Sequence, residues 1–171
     1  MRRMVLPILL LVVVTLPARA QFADVTDTGP AEGEINAAEF NIEWPWVAAI
    51  AYAKDVGQTP QQYGRFIGEL AAPGWTARTP AGFVLRMYRN YCEWDGLQFE
   101  VVEVSEDMIS VRTNVPYESR VGDSGDPFGV TLQDYVAVHE AAYDAIAEHL
   151  NLELTRQRDG AWTVVTVRAR S

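Results

Sequence analysis

Apolar residues recur with helical spacing along four stretches of this chain and alternate along four others. The clearest helix is Thr131–Leu150, TLQDYVAVHEAAYDAIAEHL. At about 100° per residue, Leu132, Tyr135, Val136, His139, Tyr143, Ile146 and Leu150 fall on one arc, while Gln133, Asp134, Glu140, Asp144 and Glu148 fall outside it. An apolar arc of that width is the buried stripe of a helix lying on a sheet. Thr131, with Asp134 three residues on, predicts an N-cap, and Val130 and Tyr135 are spaced for a hydrophobic staple. His139 interrupts the arc, where a polar ring has to find a partner. The reading adopted is a core histidine donating to a backbone or carboxylate oxygen; a general base or an axial haem ligand are the alternatives.

Three helices are predicted upstream. Asn41–Val56 places Ile42, Trp46, Ala49, Ile50 and Ala53 on one face, with Gly57 as the stop. Pro45 fits only the first turn, which moves the expected start towards Trp44. Thr59-Pro60 followed by Gln62 predicts a capping box, and Tyr63, Phe66, Ile67 and Leu70 then carry the apolar face as far as Pro73-Gly74. Thr79-Pro80 starts the third helix, with Val84, Met87, Tyr88 and Tyr91.

At Asp95-Gly96 the period changes to two. Leu97, Phe99 and Val101 alternate, and Val102 and Val104 take up the opposite phase, which predicts a bulge. Ile109, Val111, Thr113 and Val115 alternate after a turn at Ser105–Asp107. Beyond the central helix, Asp159-Gly160 predicts a type I′ hairpin between Leu152–Gln157 and Trp162–Ala169. A two-residue loop there pairs Leu154 with Val165 and Leu152 with Val167. The expected fold is α+β: three leading helices, then hairpin–helix–hairpin forming a four-stranded antiparallel sheet with one long helix across it. The leading helices are expected to cover Trp162 and Val164 on the other face of the sheet.

The ends and the charge add a destination. Arg2 and Arg3, the apolar run Val5–Leu16 and Ala18-Arg19-Ala20 have the layout of a signal peptide over residues 1–20. The run is shorter than a bilayer span, so export to the periplasm or the extracellular space is expected, with no stable membrane insertion after cleavage. Residues 21–40 read as a flexible acidic leader and 41–171 as a single domain. Cleavage removes three arginines and no acid, which moves the net charge from −9 to −12. Such a chain repels phosphate backbones, so nucleic acid is excluded as a partner. Cys92 is the only cysteine, so no intramolecular disulfide forms; among aromatics, it reads as a packing residue.

Several apparent motifs fail on their own chemistry. Gly122-Asp123-Ser124-Gly125-Asp126-Pro127 resembles the segment around the nucleophile of chymotrypsin-like serine proteases. Asp126 stands where that family has glycine, and both histidines follow Ser124, whereas that triad needs a histidine and an aspartate before it. Glu118, Asp123 and Asp126 do not follow the alternation of an EF-hand. His139-Glu140 lacks the second histidine one turn on that a zinc protease needs, because Tyr143 stands there. No metal or cofactor pattern emerges.

What remains is aromatic. Trp46, Trp75, Tyr88, His139 and Tyr143 are the candidate ligand contacts, since aromatic walls with few polar groups suit a small-molecule cleft. The expected function is a non-enzymatic exported domain that binds a small, partly apolar ligand or a protein partner. The alternative is a small hydrolase or lyase using His139 as general base, with Glu140 or Asp144 to orient it.

Overall fold

The computed structural model describes residues 32–91, 97–114 and 125–170. Helix α1 (Glu32–Asp55), α2 (Pro60–Ala71) and α3 (Pro80–Tyr91) lead into strands β1 (Phe99–Val104) and β2 (Met108–Asn114). The long helix α4 (Leu132–His149) and strands β3 (Leu152–Asp159) and β4 (Trp162–Ala169) complete the chain. The strands form one antiparallel sheet in the order β1-β2-β4-β3. This is the expected α+β architecture, and the sequence signals that start its elements hold. Thr59 and Thr131 each close a full capping box, with Gln62 and Asp134. Thr79 Oγ1 accepts from the Gly82 amide at 3.1 Å. The pairing of β1 with β2 shifts between Val101 and Glu103, where the bulge is expected, leaving Val102 exposed.

The core has two parts. Phe83, Val84 and Met87 of α3 and Tyr143, Ile146, Ala147 and Leu150 of α4 pack on Ile109, Val111, Leu152, Val165 and Val167 of the sheet. A second cluster joins Val47 and Ile50 of α1 to Val130, Tyr135 and Val138. Lys54 clips that side shut by donating to Asp134 Oδ2 and to the Gly129 carbonyl, each at 2.6 Å. Burial alone would raise the Asp134 carboxyl, but the bonds from Lys54 and Thr131 outweigh it and hold it below the usual carboxylate range.

Four expectations need correction. Helix α1 begins at Glu32, well before the start expected between Asn41 and Trp44, and Pro45 lies inside it rather than in its first turn. The stretch before Pro45 holds four glutamates and two alanines, all good helix formers. That propensity carries the helix across the one missing amide.

In α2 the expected apolar face is only partly covered: Tyr63 and Ile67 are half-buried, and the most buried positions are glycines. Gly64 and Gly68 are buried, while Phe66 and Leu70 are 55% and 70% exposed. A β-carbon at Gly64 would strike the Val138 carbonyl, and one at Gly68 the Ala142 carbonyl. Backbone-to-backbone approach to α4, which only glycine permits, has overridden the hydrophobic pattern.

The β3–β4 register differs by two residues. Leu154 pairs with Val167, Leu152 with Ala169, and Asp159 with Trp162, so the loop is Gly160-Ala161. Gly160 has φ 60° and neither neighbour has positive φ, which excludes type I′ and fits the II′ pattern of glycine at the first loop position. A shift of two preserves which residues face inward. Finally, α3 packs on the same sheet face as α4, and the described cover over Trp162 is the Arg112 guanidinium, 4.6 Å from the ring centroid.

Candidate functional site

The inner face of the sheet is built of rows that cross the strands. Ile109 pairs with Val167 and Val167 with Leu154; one step along, Val111 pairs with Val165 and Val165 with Arg156. At the end nearest the β3–β4 turn, Thr113 pairs with Thr163 and Thr163 with Arg158. The face therefore grades from aliphatic to hydroxyl and guanidinium along its length.

Helix α4 crosses this gradient. Its second half lies on the aliphatic rows, and its first half lies over the threonine and arginine row. There a cavity of about 540 Å³ opens between helix and sheet. Leu132, Val136, His139 and Tyr143 form its roof, Thr113, Thr163 and Val165 its floor, and Met87, Tyr91 and Leu97 its side. Arg156, Arg158 and Glu140 stand at its rim. A smaller cavity of about 300 Å³ lies among the helices, between Trp46, Ile67, Trp75 and Asn90, and shares Tyr91, His139 and Tyr143 with the first as a common wall.

The polar groups are few and placed. Arg156 donates to Asp144 Oδ1 at 2.7 Å and to the Glu140 carbonyl at 3.2 Å. Arg158 Nη1 donates to Thr163 Oγ1 at 2.8 Å. Thr113 Oγ1 is buried with no hydrogen-bond partner among the described residues. Asn90 donates to the Tyr143 hydroxyl at 3.2 Å, and burial raises that phenol above its ordinary pKa. Tyr143 is wedged between Trp75 and Tyr91, each ring 5.8 Å away.

His139 sits between Tyr135 and Trp46, at ring distances of 4.7 and 5.5 Å. Its Nε2 is enclosed, and desolvation pushes the imidazole down to about 4. It is neutral at pH 7. The acids considered as its orienters are turned elsewhere: Asp144 is held by Arg156, and Glu140 is exposed at the rim. Among the described residues, no three His, Cys, Asp or Glu side chains gather where a metal ion would fit.

The candidate contacts are thus divided. His139 and Tyr143 line both cavities, and Trp46 and Trp75 line the smaller one. Tyr88 lines neither and packs edge-on against Phe99 at 5.1 Å. Ser124, Glu118, Asp123 and Cys92 lie outside the described residues. Thr113, Thr163, Arg156 and Arg158 are the cavity-lining residues that aromatic-led reasoning misses. A signal for them exists, because Arg156 and Arg158 continue the phase of Leu152 and Leu154, and Thr113 continues that of Ile109 and Val111. A comparison with protein-family models, curated proteins and solved structures finds no match, so the reading of the site rests on its own geometry.

Proposed function

We propose that this chain is an exported, non-enzymatic domain that binds a small, partly apolar molecule in the cavity beneath the first half of α4. One observation carries the reading. A cavity of about 540 Å³ with aliphatic and aromatic walls also exposes a few convergent polar groups, Thr113, Thr163 and Arg158. That is the usual make-up of a small-molecule site. The size suits a ligand of one or two rings or a short chain, and the concavity favours such a molecule over a protein surface.

Catalysis by His139 is the weaker reading, because a base desolvated to about 4 is far from the operating range of a general base near neutral pH. Export is supported by the signal-peptide layout of residues 1–20. N-terminal sequencing of material from outside the cytoplasm tests it, with Gln21 expected first. The binding reading is tested by screening small aromatic and aliphatic compounds for shifts in melting temperature. Hits are expected to lose their effect in Val136→Trp, which fills the roof, and to keep it in Phe66→Ser on the far side of α2. Hits indifferent to Val136→Trp would refute the site.

A further inference from the structure

We infer that the ligand of this cavity is uncharged, an apolar body with one carbonyl-type oxygen that accepts a hydrogen bond from Thr113; this rests on the cavity reading above. Thr113 is 4% exposed, lines the cavity, and its Oγ1 has no hydrogen-bond partner among the described residues. A buried hydroxyl left without a partner costs its own desolvation. Its single O–H is the part that most needs a partner, because oxygen lone pairs are more often left partly used than buried donors are. A ligand oxygen supplies the acceptor, and a purely apolar ligand leaves the donor unmet.

The same two strands hold a contrasting pair. Ser110 and Thr166 face each other across β2 and β4, and their hydroxyls bond to one another at 3.0 Å. Thr113 and Thr163 face each other across the same strands, on the opposite side of the sheet. Here Thr163 Oγ1 accepts from Arg158, and Thr113 Oγ1 is left over. The hydroxyl pair that satisfies itself lies away from the cavity, and the one that does not lies on its floor.

The rim argues against a charged ligand. Arg156 is paired with Asp144 and also donates to the Glu140 carbonyl, while Arg158 is committed to Thr163. An anion therefore finds no guanidinium held for it. A cation finds Glu140, which is exposed to water and screened. Either ion would give up hydration against Val136, Tyr143 and Val165 without a buried counter-ion in exchange.

The test uses three probes of one shape, with affinities read from methyl NMR titrations. The first is 2-acetylnaphthalene. In 2-isopropenylnaphthalene a methylene replaces the carbonyl oxygen, and in 2-naphthoate a charged oxygen replaces the methyl. Thr113→Val should weaken the ketone about fivefold, the scale of one neutral hydrogen bond. The alkene should bind that variant as well as before or better. Thr113→Ser should keep the ketone's affinity relative to the alkene, and Thr113→Ala set against Thr113→Ser gives the same comparison if the valine variant fails to fold. The naphthoate should bind at least about tenfold more weakly than the ketone. Val136→Trp, with Leu132→Trp as a second blocking variant, should remove binding of all three. An unchanged ketone-to-alkene ratio in Thr113→Val, or naphthoate bound as tightly as the ketone, would overturn this inference and leave the cavity reading intact as long as either tryptophan still blocks. Binding that neither tryptophan disturbs, or no binding of any probe, would overturn both.

Discussion

The two halves of α4 lie on one sheet and end differently. Under the second half, Ile146, Ala147 and Leu150 close on Ile109, Val167 and Leu152 in one packed cluster. Under the first half, Leu132, Val136 and His139 stand over Thr113, Thr163 and Arg158, with a cavity between them. The helix is continuous across both, so the difference lies in the sheet rows. Branched aliphatic side chains fill the space below a helix, whereas threonine is shorter and arginine swings its head to the rim. On its other side α4 is fixed against α2 through Gly64 and Gly68, which leaves it no freedom to settle onto the shorter floor. A cavity here is the consequence of a helix held at one height over a floor of two heights.

The largest expected effect is at the closed end. Ile109→Ala should cost roughly 2–5 kcal/mol, as fully enclosed aliphatic truncations do, whereas Leu132→Ala at the open end should cost about 1 kcal/mol or less, since its side chain is only half-buried. Urea midpoints at constant m-value would compare them. Losses of equal size would mean that the two ends are packed alike.

His139 comes next, because it marks the border between the halves. Its folded pKa lies below the unfolded value near 6.5, so between those values the unfolded chain binds the extra proton. The stability it contributes is present above about pH 6.5 and is lost as pH falls towards about 4, by up to about 3 kcal/mol. That window lies above the one in which Asp134, held below 3.8, loses its own contribution. His139→Gln should flatten the profile between pH 6.5 and 4. An unchanged slope in that variant would put the imidazole in contact with water.

The glycine contact should matter at a similar or smaller scale. Gly68→Ala meets the Ala142 carbonyl and should cost about 1–3 kcal/mol. Gly74→Ala, with open space around it, should cost close to nothing. Similar melting temperatures for the two variants would show that α2 does not fix the height of α4.

The smallest effect is the most specific. Thr113→Val removes a buried hydroxyl without a described partner and should be neutral or stabilising by roughly 0.5–1 kcal/mol. Ser110→Ala breaks a 3.0 Å bond to Thr166 and should destabilise by about 1 kcal/mol. Destabilisation by Thr113→Val of that same size would indicate a partner for its hydroxyl in the free protein.

Much of this architecture was legible in the chain. Caps are local chemistry, so Thr59, Thr79 and Thr131 mark their helices whatever packs later. Strand phase is equally local, and it placed Ile109, Val111, Leu152 and Leu154 on one face. What the pattern hid were choices made between distant segments. Phe66 and Leu70 form a plausible buried face until the glycine side of the same helix finds a partner that it alone can approach. The β3–β4 turn offered Asp159-Gly160 and Gly160-Ala161 as loops with identical face patterns, and the backbone at Gly160 decided between them. The site was half legible: His139 stood out as the exception on an apolar arc, and Tyr143 as one of the aromatic members of that arc. Thr113 and Thr163 looked like ordinary strand residues, and their meaning depends on the distance to a helix that no periodicity reports.

The most direct test of the two-ended helix is a methyl NMR titration of the folded protein with 2-acetylnaphthalene. Methyl signals of Leu132, Val136, Thr113 and Val165, which border the cavity, should shift with a single saturating affinity, while those of Ile109, Val167 and Leu152 at the closed end should stay in place. Saturable shifts centred on Ile109 and Val167, or on exposed Leu70 of α2, with Val136 and Thr113 unmoved, would contradict a binding cavity beneath the first half of α4.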